Sequence, residues 1–200
     1  MDKLLAGYQR FRKNVWPHQR AAFESLAERG QSPKALVLTC IDSRLDPTMI
    51  FDAAPGELLT IRNVANLAPP YAPDAAYHGT SAALEFGVRV LEVPHVMVLG
   101  HGLCGGVRAL LEGAPDNANE FVKPWMSMAA PAALRASSAE DRQTCAEHEV
   151  VKISLANLMT FPWIASRVAS GKLQLHGAWF AIRTGVLLTL RPDGSFAPPE

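Results

Sequence analysis

The sequence predicts a three-layer α/β fold: a mainly parallel β-sheet core flanked by helices, with an N-terminal helical arm and C-terminal strands extending the sheet. Three observations predict it. Short apolar runs rich in strand formers, KALVLTC, ELLTIR and HVMVLG, alternate with stretches of helical periodicity. Proline or glycine stands beside each run. Near the end, LQLHGAWFAI and GVLLTLR read as two strands joined by a turn at Arg183-Thr184-Gly185.

The elements follow in order. Leu4, Leu5, Tyr8, Phe11 and Val15 recur at helical spacing, and Pro17 is expected to break that helix before a second runs from His18 to Arg29. KALVLTC (34–40) is the first strand, and Asp46-Pro47 starts a helix with a cap and a first-turn proline. ELLTIR (57–62) is the second strand, and NLAPPYAPD is a proline-rich loop. A helix over 80–91 turns Ala83, Leu84, Val88 and Leu91 to one side. HVMVLG (95–100) is the third strand, and a helix starts at Gly106. Residues 116–158 are mostly helical, with loops expected near Pro131 and at Ser137-Ser138, and a short helix runs from Pro162 to Ser170. The tail RPDGSFAPPE is read as turn and loop.

Two hundred residues with 48% hydrophobic content predict one domain over 1–200, with 1–30 as its arm. Nineteen basic and nineteen acidic residues cancel, which argues against a nucleic-acid surface. No apolar window is long enough for a membrane span, and MDKLLAGYQRFRKN lacks the apolar core of a signal peptide. The expectation is a cytoplasmic protein with no membrane partner. Three cysteines do not form a disulfide framework, so metal binding or catalysis is the better use for a thiol.

The stretch VLGHGLCGGV (98–107) carries two readings. Gly100, Gly102 and Gly105 fit the G-x-G-x-x-G of a dinucleotide loop, while His101 and Cys104 fit half of a zinc site. The dinucleotide reading needs the first βα unit and an acid about twenty residues on at the next strand end. Here the motif follows the third strand, and the acids downstream sit in APDNANEF. The metal reading gains a partner at the end of the first strand. If those two strands are neighbours, Cys40, His101 and Cys104 converge as two thiolates and one imidazole, with one position left open. Asp42 and Arg44, two apart, can then point the same way, and an acid and a base buried together need a reason.

These motifs are similar to those of the β-class carbonic anhydrases of plant type. The signatures are Cys40-Ile41-Asp42-Ser43-Arg44 and His101-Gly102-Leu103-Cys104-Gly105-Gly106, about sixty residues apart. The likeness continues through RNVAN (62–66), Pro69-Pro70-Tyr71, GTSAALEFGV (79–88) and LHGAWFAIRTG (175–185). It implies one Zn2+ per chain on Cys40, His101 and Cys104, and hydration of CO2 to bicarbonate by a zinc-bound hydroxide. It implies that Arg44 holds Asp42, whose carboxylate orients the attacking oxygen. Gln31, contributed across a dimer interface, and the Gly105 N–H would contact substrate, while Leu59, Val64 and Phe86 would form the apolar CO2 pocket. Plant-type members often carry tyrosine where Phe86 stands. Val37 stands where an allosteric subgroup has tryptophan, so an open site near neutral pH is expected, as is activity rising towards alkaline pH. The resemblance also implies a homodimer or larger homo-oligomer. The alternatives are the same fold acting on CS2 or COS, or a non-catalytic zinc protein, to which an Asp42–Arg44 pair would be of no use.

Overall fold

The computed structural model describes residues 1–74 and 76–199. Six strands, β1 (Ala35–Cys40), β2 (Leu58–Asn63), β3 (His95–His101), β4 (Gln174–Ala181), β5 (Val186–Leu190) and β6 (Phe196–Ala197), form one sheet. Its order is β2-β1-β3-β4-β5-β6. The pairs among β2, β1, β3 and β4 are parallel, and β4–β5 and β5–β6 are antiparallel. A parallel strand covered on both faces needs apolar residues at every position. In β1 all five residues from Leu36 to Cys40 are buried. Its alternate side chains serve opposite layers: Leu36 and Leu38 join Leu84, Val88 and Ile164, whereas Val37 joins Val107, Ala132 and Val150.

The helices are α1 (Asp2–Arg10), α2 (Trp16–Arg29), α3 (Pro47–Ile50), α4 (Gly79–Glu85), α5 (Gly105–Glu112), α6 (Val122–Ser127), α7 (Ala130–Arg135), α8 (Arg142–Leu158) and α9 (Pro162–Ala169). At the start of α3 the Asp46 carboxylate accepts from Thr48 N and Met49 N at 2.9 and 3.3 Å, the cap the sequence announced. No helix among the described residues is long and apolar enough to cross a membrane.

Three expectations are corrected. Pro17 does not break the arm. A π-helical turn, Phe11–Val15, joins α1 directly to α2, and Trp16 N–H reaches back five residues to Phe11 O. The wider turn falls where Pro17, in the first turn of α2, has no N–H to give. Pro131 lies inside the first turn of α7 instead of in a loop, a position that asks no donor of it. The tail is not all loop, because Phe196 and Ala197 pair with Leu190 and Thr189. No residue of the arm is fully buried, and Leu4 is 73% exposed.

Phe196 also stacks on His148 of α8, with ring centroids 4.1 Å apart, and Trp179 meets the same imidazole edge-on at 5.0 Å. Buried His148 Nε2 has no hydrogen-bond partner. Burial first, and then the charge of Lys152, push this imidazole down to about 4. The unfolded value is about 6.5, so the unfolded chain protonates first as pH falls. The contribution to stability is therefore complete above about pH 6.5 and is lost towards about pH 4. His148→Phe is expected to flatten the fall in melting temperature across that window. An unaltered acid dependence would show that other groups set it.

Candidate metal centre

β1 and β3 are parallel neighbours, with Leu36–Thr39 opposite Val96–Leu99. Their carboxyl ends therefore deliver Cys40 and His101 to the same end of the sheet, where open α/β sheets gather ligands. The chain then turns through Leu103, held at φ 60°, and returns Cys104 to the N-terminus of α5. A left-handed leucine costs energy and persists only where its surroundings impose it.

The ligand atoms of Cys40, His101 and Cys104 all lie within 4.8 Å of one another. The two sulfurs are 4.0 Å apart. The three residues are 4%, 1% and 1% exposed. His101 Nδ1 lies 2.9 Å from Gly102 O and donates to it, which fixes the tautomer and leaves a lone pair on Nε2. That Nε2 is buried and has no protein partner. A tetrahedral zinc about 2.3 Å from each thiolate would hold the sulfurs about 3.8 Å apart, close to the spacing of this pair.

The electrostatics agree. A hydrogen bond from Cys104 holds the Cys40 thiol down to about 4, and the same contact pushes Cys104 up. Burial opposes the charged form of His101, but the Cys40 thiolate beside it raises the imidazole overall. Only one of the two sulfurs is favoured as a thiolate on its own, and holding both deprotonated this close calls for a cation between them.

Asp42 lies beside this cluster, its Oδ2 4.0 Å from His101 Nε2. Arg44 grips it from the other side: Nε donates to Oδ1 at 2.9 Å, an Nη to Oδ2 at 2.7 Å, and the backbone N–H to Oδ1 at 3.0 Å. These bonds from Arg44 hold the Asp42 carboxyl far below the usual carboxylate range. The pair is less enclosed than expected, because Asp42 is 15% exposed at its side chain and Arg44 48%. Solvent reaches the guanidinium while the carboxylate faces inward.

Several groups that support the site were given no role by the sequence. Arg62, opposite Thr39 in the sheet, donates to Cys40 O at 3.0 Å, Asp42 O at 2.7 Å and Leu45 O at 2.6 Å. It straps the whole loop that carries Asp42 and Arg44. Glu147 and Gln143 of α8 reach the Cys104 backbone from below. Their contacts are with peptide groups, which every residue possesses, so spacing between side-chain types could not reveal them.

Of the residues expected at the substrate, Val64 lines a cavity of about 490 Å3 together with Ile41, Asn63 and Trp125. Trp125 Nε1 donates to Val64 O at 2.8 Å, fixing the kink that places Ala65 and Asn66 at positive φ. Gly105 is exposed at the start of α5, and a Cβ there would meet nothing. Gly106 is different, since a Cβ would come within 2.7 Å of Val64 Cγ1 and 3.1 Å of Ala65 Cβ. It is required by packing against the cavity wall. Gly106→Ala should cost about 1–3 kcal/mol in urea unfolding; a smaller loss would mean that the cavity wall yields easily. Leu59, Phe86 and Gln31 are not brought to this cavity within one chain. Leu59 packs on the opposite core cluster, Phe86 is 52% exposed in a separate surface cleft, and Gln31 is exposed beyond α2.

Comparison with known proteins gives the same answer. The family model described as carbonic anhydrase matches residues 35–187. "Beta carbonic anhydrase 3" of Arabidopsis thaliana is 35% identical over 190 residues, covering 90% of this chain and 72% of the relative. The structure of the beta-carbonic anhydrase CcaA superposes with a TM-score of 0.91 at 33% identity, covering 100% of this chain and 92% of that one. One of two tetrameric beta-carbonic anhydrases from Sordaria macrospora gives 0.72 at 27% identity, over 98% of this chain and 94% of the other. With the two motifs folded into one buried Cys-His-Cys cluster, this chain belongs to the β-class carbonic anhydrases.

Proposed function

We propose that the chain, folded as a single domain over 1–200, binds one zinc ion through Cys40, His101 and Cys104 and catalyses the reversible hydration of CO2 to bicarbonate. The observation that carries this reading is the buried, unpartnered His101 Nε2 facing two thiols, with a clamped carboxylate beside it. Zinc would supply a Lewis acid that makes water nucleophilic near neutral pH. Asp42 Oδ2 accepts the proton of the attacking water in a hydrogen bond, which aims the oxygen lone pair at CO2. Arg44 keeps that carboxylate from turning onto the cation, since both of its oxygens are already engaged. The Gly105 N–H, at a helix start, suits a developing anion. Val64 and its neighbours give CO2 an apolar resting place.

The active site is completed by a second copy of the chain. Gln31, Leu59 and Phe86 lie away from their own cavity, no residue of the arm is fully buried, and the Sordaria macrospora relatives are tetrameric. A homodimer or larger homo-oligomer, with these residues reaching across, reconciles their resemblance-based role with their position. The test is stopped-flow CO2 hydration by metal-quantified protein. About one zinc per chain and turnover rising towards alkaline pH are expected; zinc without hydration at pH near 8.5 would overturn the reading.

A further inference from the structure

The turn from His101 to Cys104 has a left-handed leucine at its centre, and something must impose that shape. From the solvent side Arg44 Nη donates to Leu103 O at 3.2 Å. From within, Gly102 N–H is tied to Phe180 O of β4 at 2.9 Å. The third restraint is unusual. Glu147, an acid only 2% exposed, sits beneath the turn on α8. Its Oε1 accepts Cys104 N–H at 2.9 Å and Gln143 Nε2–H at 2.7 Å, and its Oε2 accepts Trp179 Nε1–H at 3.0 Å. Gln143 Nε2 also donates to Cys104 O at 3.1 Å. Both backbone polar groups of Cys104 are therefore bonded by side chains one turn apart on α8.

A buried carboxylate is costly, and a chain that only needed packing here would fill the position with an apolar residue. Every partner of Glu147 is a donor, so only an acceptor-only group satisfies all three at once. An amide cannot. Whichever way a glutamine is turned at 147, its NH2 faces either Trp179 Nε1–H or the pair from Cys104 and Gln143. The carboxylate also places negative charge below the cluster, where a cation would sit.

We infer that Glu147 is a positioning residue for the metal ligand Cys104: with Gln143 and Trp179 it fixes the His101–Cys104 turn so that the Cys104 thiolate faces Cys40 and His101 in advance of the metal. This rests on the metal reading of that cluster. Groups that orient ligands from behind are worth about 10–100-fold in metal affinity. Residue 147 acts through the Cys104 backbone and touches no reacting atom.

The test is the rate at which zinc leaves the purified protein to excess chelator, with Co2+-substituted absorption as a second readout of ligand geometry. Glu147→Gln is expected to release zinc about 10–100-fold faster and to shift the thiolate-to-cobalt bands. Gln143→Ala, at a partly exposed position that tolerates truncation, is expected to give a smaller increase in the same direction. Leu158→Ala, on the same helix but in the opposite core cluster, is the control: it should lower the melting temperature while leaving zinc release and the cobalt spectrum unchanged. If Glu147→Gln and Gln143→Ala release zinc at the original rate with unaltered cobalt bands, the positioning role is wrong. It is equally wrong if Leu158→Ala loses zinc in proportion to its lost stability as they do. If the unsubstituted protein itself holds no zinc, the metal reading fails first and the role of Glu147 fails with it.

Discussion

Cys40→Ala should empty the site. Zinc content is expected to fall from about one per chain to near zero, and CO2 hydration by on the order of a thousandfold or more, because the nucleophile then has to come from water of unshifted acidity. The physical reason is the geometry of the donor set. Cys40 and Cys104 are 4.0 Å apart, and His101 completes the triangle. Two donors from one turn are half a tetrahedron and hold a divalent ion weakly. The substitution itself removes little packing, since a sulfur becomes a hydrogen at a site that is 4% exposed. The fold should therefore survive, with stability reduced chiefly by the loss of metal-linked folding energy. Cys145→Ala supplies the comparison, because that thiol lies on α8 outside the cluster. Metal analysis beside stopped-flow hydration decides it: a Cys40→Ala protein that keeps its zinc and its turnover would show that the ligands lie elsewhere.

Asp42→Asn should separate chemistry from metal binding. Zinc is expected to stay, while kcat/KM falls by about 10²–10³-fold. Asp42 offers oxygens alone, and three donors from Arg44 already point at them. In asparagine one of those oxygens becomes an NH2 that opposes the guanidinium. The side chain then either turns away from Arg44 or presents a donor where the attacking water must give its proton. Either outcome removes the acceptor that orients the water, at no cost to Cys40, His101 or Cys104. Activity within about twofold of the original, with zinc retained, would reduce the pair to a structural ion bridge worth little at a half-exposed site.

Much of the architecture was legible because its signals are local. The apolar run ALVLTC can only be satisfied by cover on both faces, and the structure buries it so. Asp46-Pro47 is a complete helix start within two residues. What misled was also local. Pro17 and Pro131 each looked like an interruption, yet both sit in first turns where a missing N–H is harmless. The two-residue strand Phe196–Ala197 carries too little pattern to be seen, and it exists because β5 offers it an edge.

The site divides the same way. The sequence by itself determined the donor chemistry. Cys40-x-Asp42-x-Arg44 and His101-x-x-Cys104 each lie within a single turn of chain, so spacing alone limits how their side chains can be arranged. Only the tertiary structure decided that the two halves meet, because that depends on β1 and β3 pairing across more than fifty intervening residues. It also decided what holds them. Arg62, Gln143 and Glu147 act on peptide N–H and C=O groups, which are the same at every position and leave no mark in the pattern of side chains. And it decided that Gln31, Leu59 and Phe86 are out of reach of their own cavity. A residue's distance from a site is set by the path of the folded chain, and a string of residue types does not contain that path.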